Sequence, residues 1–187
     1  MRLSLASGLY KGRTLFAPKL KSTRPTKALV RDAFFNSMAS RIEGANMLDL
    51  FAGFGAIGLE AISRGANSTT FVENHPKACE AIKKNITLLG VENQVQLMRV
   101  DCLKALEKLE KDNRSFSLIF ADPPYEEKGL YGEVISKINA LNLLESSGLF
   151  AIECPIDYTP PEMKRLEIYK VKKYGSTKLL FIKNNTL

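Results

Sequence analysis

Asn46-Met47-Leu48-Asp49-Leu50-Phe51-Ala52-Gly53-Phe54-Gly55-Ala56-Ile57-Gly58-Leu59-Glu60 is the stretch that decides the fold. Its first six residues read as a short buried strand. Gly53, Gly55 and Gly58 then fall in G-x-G-x-x-G spacing, and the residues after them read as a helix to about Ser63. Glycine permits a tight turn and a close approach of ligand to backbone, and a helix N-terminus favours a negative group. The next strand, Ser68-Thr69-Thr70-Phe71-Val72, ends at Glu73, 18 positions after Gly55, where a carboxylate can accept hydrogen bonds from a ribose diol. A lone glycine triplet is often an ordinary turn. Strand, triplet, helix, strand and terminal acid in that order make a nucleotide-binding arrangement.

The same alternation runs outward from this stretch. Strands are predicted near 46–51, 68–73, 94–100, 116–121 and 148–153, with helices near 56–63, 76–89, 102–111 and 129–141 between them. Such an order predicts an α/β fold, a parallel sheet covered by helices. Leu166 to Tyr174 and Thr177 to Lys183 read as a closing hairpin that turns at Gly175-Ser176. Upstream, Arg2 to Ala17 reads as a hairpin with Tyr10-Lys11-Gly12-Arg13 near its turn. Arg24-Pro25-Thr26 then leads into a helix to about Ile42, whose apolar face is Val30, Phe34, Met38 and Ile42. Residues 1–45 are expected to be a basic extension packed on a core of residues 46–187, the whole forming one compact unit.

In an open sheet of this kind ligands gather at the carboxyl ends of the strands. Asp49 with Phe51 and the glycine loop, Glu73 with Asn74, Asp101 with Cys102, and Asp122 all fall there. Asp101 can equally cap the helix that follows it. Asp122-Pro123-Pro124-Tyr125 ends the apolar run Phe116-Ser117-Leu118-Ile119-Phe120-Ala121. Proline fixes φ and lacks an N–H, so this turn offers a carboxylate, a positioned carbonyl and an aromatic ring. An exocyclic amine on a planar base needs acceptors for two hydrogens and a ring to lie against. NAD and S-adenosylmethionine compete for the glycine loop, since an acid can hold the ribose of either. Asp49, close to where a cationic amino-acid group would sit, favours S-adenosylmethionine. So does the amine-facing turn, for which hydride transfer has no evident use.

On these residues the chain resembles the class I, Rossmann-like, S-adenosylmethionine-dependent methyltransferases of the amino-methylating type. More narrowly it resembles the ribosomal small subunit methyltransferase D family, bacterial guanine-N2 methyltransferases. The resemblance covers nearly the whole chain. It includes Gly12-Arg13, Arg24-Pro25-Thr26, Asp49-Leu50-Phe51-Ala52-Gly53 with Gly55 and Gly58, Leu59-Glu60-Ala61, Ser63-Arg64-Gly65-Ala66, Asp122-Pro123-Pro124-Tyr125 and Tyr174-Gly175. Phe54 departs from it, since the family usually has serine there, and it would put a ring beside the cofactor. The resemblance implies a mostly parallel seven-stranded sheet with helices on both faces, and S-adenosylmethionine held by Asp49, Phe51, Gly53, Gly55, Gly58, Glu73, Asn74, Asp101 and Cys102, with Asp101 reading the adenine amine. It implies catalysis by Asp122, Pro123, Pro124 and Tyr125 on 16S ribosomal RNA or the assembling small subunit.

Composition and charge agree with that expectation. The 187 residues are 45% hydrophobic and 25% charged, ordinary for one globular domain. No apolar run approaches a membrane span. Cys79, Cys102 and Cys154 show no metal-ligand spacing and suit reduced thiols in a cytoplasm. His75, the sole histidine, precedes Pro76 and reads as a helix-entry residue. The net charge of +7 is segregated: residues 1–45 carry nine Lys or Arg against two acids, 46–163 eleven against seventeen, and 164–187 seven against one. A basic leader and tail around an acidic middle suit a polyanionic partner. Lys11, Arg13, Arg24, Thr26, Lys27, Arg31 and Lys178 are the residues expected to meet RNA. A cytoplasmic monomer without metal is expected. The alternatives are an amino-methyltransferase acting on adenine-N6 in DNA or RNA or on a protein glutamine, and a non-catalytic RNA-binding module.

Overall fold

The computed structural model describes residues 3–18 and 28–185. Seven strands form one sheet: β3 (Asn46–Leu50), β4 (Ser68–Val72), β5 (Val95–Met98), β6 (Phe116–Ala121), β7 (Leu144–Pro155), β8 (Leu166–Tyr174) and β9 (Thr177–Asn184). Their order is β5-β4-β3-β6-β7-β9-β8. β3 to β7 are mutually parallel, β9 pairs antiparallel with β7, and β8 closes the edge antiparallel to β9. The strand order reverses between β4-β3 and β3-β6, the topological switch point at which such sheets bind ligands.

Helices cover both faces, as expected. α1 (Ala28–Met38), α2 (Ala56–Ser63) and α3 (Pro76–Leu89) lie on one face over Met47, Phe71, Leu118, Phe120, Leu149, Ala151 and Phe181. α4 (Cys102–Lys111) and α5 (Lys128–Ala140) cover the other, over Leu48, Leu50, Ile119, Ala121, Phe150, Ile152 and Leu180. The strands are apolar on both faces because both are buried, so they read as continuous hydrophobic runs. Local signals fix the helix ends. Pro76 opens α3 after His75, Gly90 closes it with φ +67°, and Asp101 caps α4.

Two boundaries differ from the sequence reading. β7 begins at Leu144, not near 148, because Leu144 pairs with Phe116 ahead of an irregularity in register that absorbs the polar stretch Glu145-Ser146-Ser147. The first helix stays α-helical only to Met38 and tightens into a 3₁₀ turn over Ala39–Arg41.

The N-terminal hairpin of β1 (Leu3–Ser4) and β2 (Thr14–Leu15) docks on α2. Glu60, fully buried, accepts the Ala6 N–H at 2.7 Å and the Arg64 Nε–H at 2.8 Å. Ser63 Oγ accepts the Tyr10 N–H and donates to the Ser7 carbonyl. Gly8 is obligatory there: its φ is +81°, and a Cβ would lie 1.7 Å from the Ser63 carbonyl oxygen. α1 runs antiparallel to the strands beneath it. Phe34 meets Phe120 edge-on at 4.9 Å near the carboxyl end of β6, whereas Arg41, past the helix end, donates to the Ser147 carbonyl near the start of β7. The N-terminus of α1 therefore stands at the carboxyl end of the sheet.

Candidate active site

The glycine loop is built around Asp49. β3 carries this residue on the helix-α2 face, 2% exposed, and its Oδ2 accepts the Gly58 N–H at 2.9 Å, one of the first-turn donors of α2 that no carbonyl can satisfy. Burial pushes the Asp49 carboxyl up to about 8, with smaller upward pushes from Asp122 and Glu73 and an opposing one from the Gly58 hydrogen bond. A carboxylate this expensive to ionise suits a site completed by a cation.

The loop's glycines differ in what they do. Gly53 (φ +55°) faces open space, so a ligand can approach its backbone. Gly55 (φ +81°) is the N-terminal boundary residue of α2 in a left-handed conformation. At Gly58 a Cβ would lie 2.2 Å from the Phe71 ring, so this glycine lets α2 press against β4. Phe51, not a glycine, also takes a positive φ, +61°. Backbone held this way in a non-glycine residue marks a place the surrounding structure over-determines.

Phe51, Val72, Glu73, Asn74, Val100 and Cys102 line a shallow cleft beside the loop. Four of the residues expected to hold a cofactor are thus brought together on one wall. Glu73 is locked in place: Oε2 accepts the Gly53 N–H and Oε1 the His75 N–H, both at 2.8 Å. Each oxygen retains a further lone pair for a ribose hydroxyl. Asn74 is exposed at the rim. Asp101 does cap α4, its Oδ1 accepting from Leu103 and Lys104 N–H, while remaining solvent-exposed beside the cleft-lining Cys102. Cys102 itself is buried, and burial drives its thiol far above the ordinary range, so it acts here as a small apolar wall. A larger depression lies at the opposite end of the sheet, lined by Arg41, Glu43, Gly44, Ser117 and Ser147, and contains none of the expected residues. Among the described residues no group of three His, Cys, Asp or Glu is placed to hold a metal, and no helix is long and apolar enough to cross a membrane.

Asp122-Pro123-Pro124-Tyr125 stands next to this loop. β3 and β6 are neighbours with Leu50 level with Ala121, so Phe51 and Asp122 leave adjacent strands at the same height, about 4.8 Å apart. Asp122 is half-buried, Pro123 buried, and Tyr125 is 54% exposed with its ring available for stacking. Tyr131, 2% exposed, donates its hydroxyl to the Pro123 carbonyl at 3.3 Å and approaches that of Pro124 at 3.5 Å. Desolvation first, then the charge of Asp122, pushes the Tyr131 hydroxyl up to about 12, so it remains a donor. The bond occupies one lone pair of the Pro123 carbonyl and fixes its direction.

One expectation, that for Phe54, is corrected, and the residues expected to meet RNA take different places. The Phe54 ring, expected beside the cofactor, is 6% exposed within the core on the helix-α2 face. Its carbonyl accepts from Asn85 Nδ2 at 3.1 Å. Lys178, expected to meet RNA, already donates to the carbonyls of Ile156 and Tyr158 and stabilises the turn after β7. Arg31, also expected to meet RNA, is a buried residue of α1, 8% exposed. Lys11 and Arg13 are exposed but lie on the hairpin tip at the far end of α2, and the structure does not bring them to Asp122. Arg24, Thr26 and Lys27 lie outside the described residues. The Tyr174–Thr177 turn does stand at the carboxyl end of the sheet, with Thr177 paired to Pro155.

Sequence reasoning missed Tyr131, Asn85 and Glu60. Asn85 accepts the Phe16 N–H and donates to the Phe16 and Phe54 carbonyls, tying leader, α3 and glycine loop together. The only signal for Asn85 and Glu60 was a polar residue on an otherwise apolar helical face.

Comparisons with known proteins agree with this geometry. The family described as Conserved hypothetical protein 95 matches residues 3–183. The ribosomal RNA small subunit methyltransferase D of Escherichia coli K12 is 36% identical over 155 residues, 83% of this chain and 73% of that one. Its counterpart in Buchnera aphidicola from Acyrthosiphon pisum is 32% identical over 171 residues, 91% of this chain and 87% of that one. A solved Escherichia coli protein provisionally described as a methyltransferase superposes with a TM-score of 0.87 at 26% identity, covering 98% of both chains. Sheet order, glycine loop, acidic-proline turn and these matches agree, and the chain belongs to the ribosomal RNA small subunit methyltransferase D family.

Proposed function

We propose that this methyltransferase transfers a methyl group from S-adenosylmethionine to the exocyclic N2 of a guanine in small-subunit (16S) ribosomal RNA. The observation that carries the reading is the register of β3 and β6, which sets the glycine loop and Asp122-Pro123-Pro124-Tyr125 side by side. When bound, S-adenosylmethionine supplies a sulfonium-activated methyl. The open face at Gly53, the left-handed Phe51 and the Glu73-lined cleft fit it. Asp49 faces its cationic amino group, Glu73 accepts from the ribose, and Asp101 and Asn74 lie at the adenine end.

The protein's own part is positioning. Asp122 and the Pro123 carbonyl accept the two amine hydrogens, which draws the nitrogen lone pair out of conjugation and toward the methyl. Tyr131 keeps that carbonyl from turning. Tyr125 stacks on the base, which must be unpaired or extruded to reach the turn. Such alignment accounts for about 7–11 kcal/mol in well-oriented reactions. The same-family relatives named above act, by their names, on small-subunit ribosomal RNA. The basic leader and tail suit the phosphates of such a substrate.

The test is methyl transfer from labelled cofactor into total RNA, DNA and protein, followed by nucleoside analysis of the product. Label recovered as N2-methylguanosine in 16S RNA is expected. Label in N6-methyladenosine or in protein would overturn the reading.

A further inference from the structure

A second buried carboxylate stands beside Asp122 with no part in the scheme above. Glu153, 8% exposed, is near the carboxyl end of β7. Ala121 pairs with Ile152, so Asp122 stands level with Glu153 one strand away, about 4.8 Å from backbone to backbone. Side chains alternate along β7, and Leu149 and Ala151 belong to the core under α1 and α2, so Glu153 points to that same face. Proximity has an independent sign: Asp122 and Glu153 both raise the Tyr131 hydroxyl, the group that holds the Pro123 carbonyl.

Arg31 belongs to the same face and the same end of the sheet. It is one helical turn N-terminal to Phe34, which packs on Phe120, two residues before Asp122. Helical side chains lean toward the helix N-terminus, and the N-terminus of α1 is at the carboxyl end of the sheet. Arg31 is 8% exposed, and its Nε is buried without a hydrogen-bond partner among the described residues. A guanidinium does not deprotonate in proteins, so a buried N–H of this kind calls for an acceptor that the site will receive.

We propose that Glu153 and Arg31 read the Watson–Crick edge of the target guanine beside Asp122, Glu153 accepting from N1–H and Arg31 donating to O6. This rests on the guanine-N2 reading above and names how the base is chosen. Along that edge guanine presents amine, N1–H and O6, that is donor, donor, acceptor. Asp122, Glu153 and Arg31 offer the complementary acceptor, acceptor and donor. Adenine and cytosine also carry an exocyclic amine, but the next ring nitrogen on their pairing edge is an acceptor. Glu153 would face its lone pair, leaving two buried acceptors opposed. An acid pair next to the amine turns a general amine site into a guanine site.

The discriminating substrate is an RNA spanning the mapped target, made with guanine or with 2-aminopurine at that position. 2-Aminopurine keeps the reactive amine, lacks O6 and has an unprotonated N1. The full chain should use guanine at least about 100-fold better in kcat/KM, because a site built to bond a donor rejects the analogue without it. Glu153→Gln presents an amide that donates to an unprotonated N1, and should narrow that ratio at least tenfold with S-adenosylmethionine affinity unchanged. Arg31→Met should narrow it too, by lowering the guanine rate alone. Equal use of both bases by the unmodified protein would overturn the inference even if neither variant folds, and so would an unmoved ratio in the folded variants. If the unmodified protein makes no N2-methylguanosine at all, the function reading fails instead.

Discussion

Burial holds the Asp49 carboxyl at about 8 in the absence of ligand, and two consequences follow from the sign. Its folded value lies above the unfolded one, so the ligand-free protein takes up a proton on folding between about pH 4 and 8. Stability from this group is full below that window and is lost as pH rises through it. Urea denaturation of the ligand-free protein should show stability falling from pH 5 to 8, and Asp49→Asn should flatten that slope. A cationic ligand favours the ionised form, so S-adenosylmethionine binding near pH 7 should release a proton. Calorimetry in two buffers of different ionisation enthalpy measures this, and equal apparent enthalpies would place the amino group elsewhere. The glycines of the same loop separate binding from stability. Gly58→Ala drives a methyl into Phe71 and Thr69 of β4 and should cost about 1–3 kcal/mol by overpacking. At Gly55 the space for a Cβ points to Ile82, Leu59 and Phe71 in the core, not to the cleft. A substitution there acts through the left-handed backbone, so loss of affinity should come with loss of stability. Gly53→Ala carries the same left-handed strain (φ +55°) but projects into the open face, so for a similar loss of stability it should lose more cofactor affinity than Gly55→Ala.

At the scale of elements, the sequence was most legible where a local signal closes an element. Asp101 is such a case, cap and candidate adenine contact at once. Asp101→Ala should lose about 1 kcal/mol of stability together with cofactor affinity. Asp101→Ser keeps a capping oxygen but shortens the reach, so it should restore the denaturation midpoint without restoring affinity. Recovery of both would leave Asp101 a cap only. Pro76, Gly90 and the glycine loop were readable for the same local reason. What the sequence hid depends on partners far along the chain. Asn85 meets Phe16, 69 residues away, and nothing in the α3 sequence announces it. Tyr131 reads as one more apolar residue of α5, and only the fold brings its hydroxyl to Pro123. The start of β7 hid behind the polar stretch Glu145-Ser146-Ser147, which the sheet skips as an irregularity after Leu144 has paired with Phe116. Asn85→Ala leaves the Phe16 N–H and the Phe16 and Phe54 carbonyls without their partner. It should cost on the order of 2–3 kcal/mol and loosen the glycine loop, measured as a lower urea midpoint and a weaker cofactor affinity together.

Over the whole molecule the acidic cofactor end and the basic leader occupy different places, and that arrangement makes the electrostatics testable. The acids around the cleft and the turn other than Asp49, that is Glu73, Asp101, Asp122 and Glu153, would repel RNA on their own. Attraction has to come from cations set outside them. Lys11 and Arg13 sit exposed on the hairpin tip at the far end of α2, a helix of 8 residues and so about 12 Å long. Glu60 and Ser63 hold that tip by hydrogen bonds to its backbone, so its cations keep a fixed place relative to the sheet. An RNA seated on Tyr125 and extending over α2 would meet them through its phosphates, which position without specifying sequence. Replacing Lys11 and Arg13 with alanine should therefore weaken RNA binding uniformly and reduce the salt dependence of affinity, by about 0.7–0.9 in slope for each phosphate that is no longer neutralised. Cofactor affinity should not change, because the tip lies at the opposite end of α2 from the glycine loop. Titrating the RNA at several salt concentrations decides it. An unchanged slope with full methylation would confine the RNA to the carboxyl end of the sheet and leave the hairpin tip as a solvated anchor of the leader.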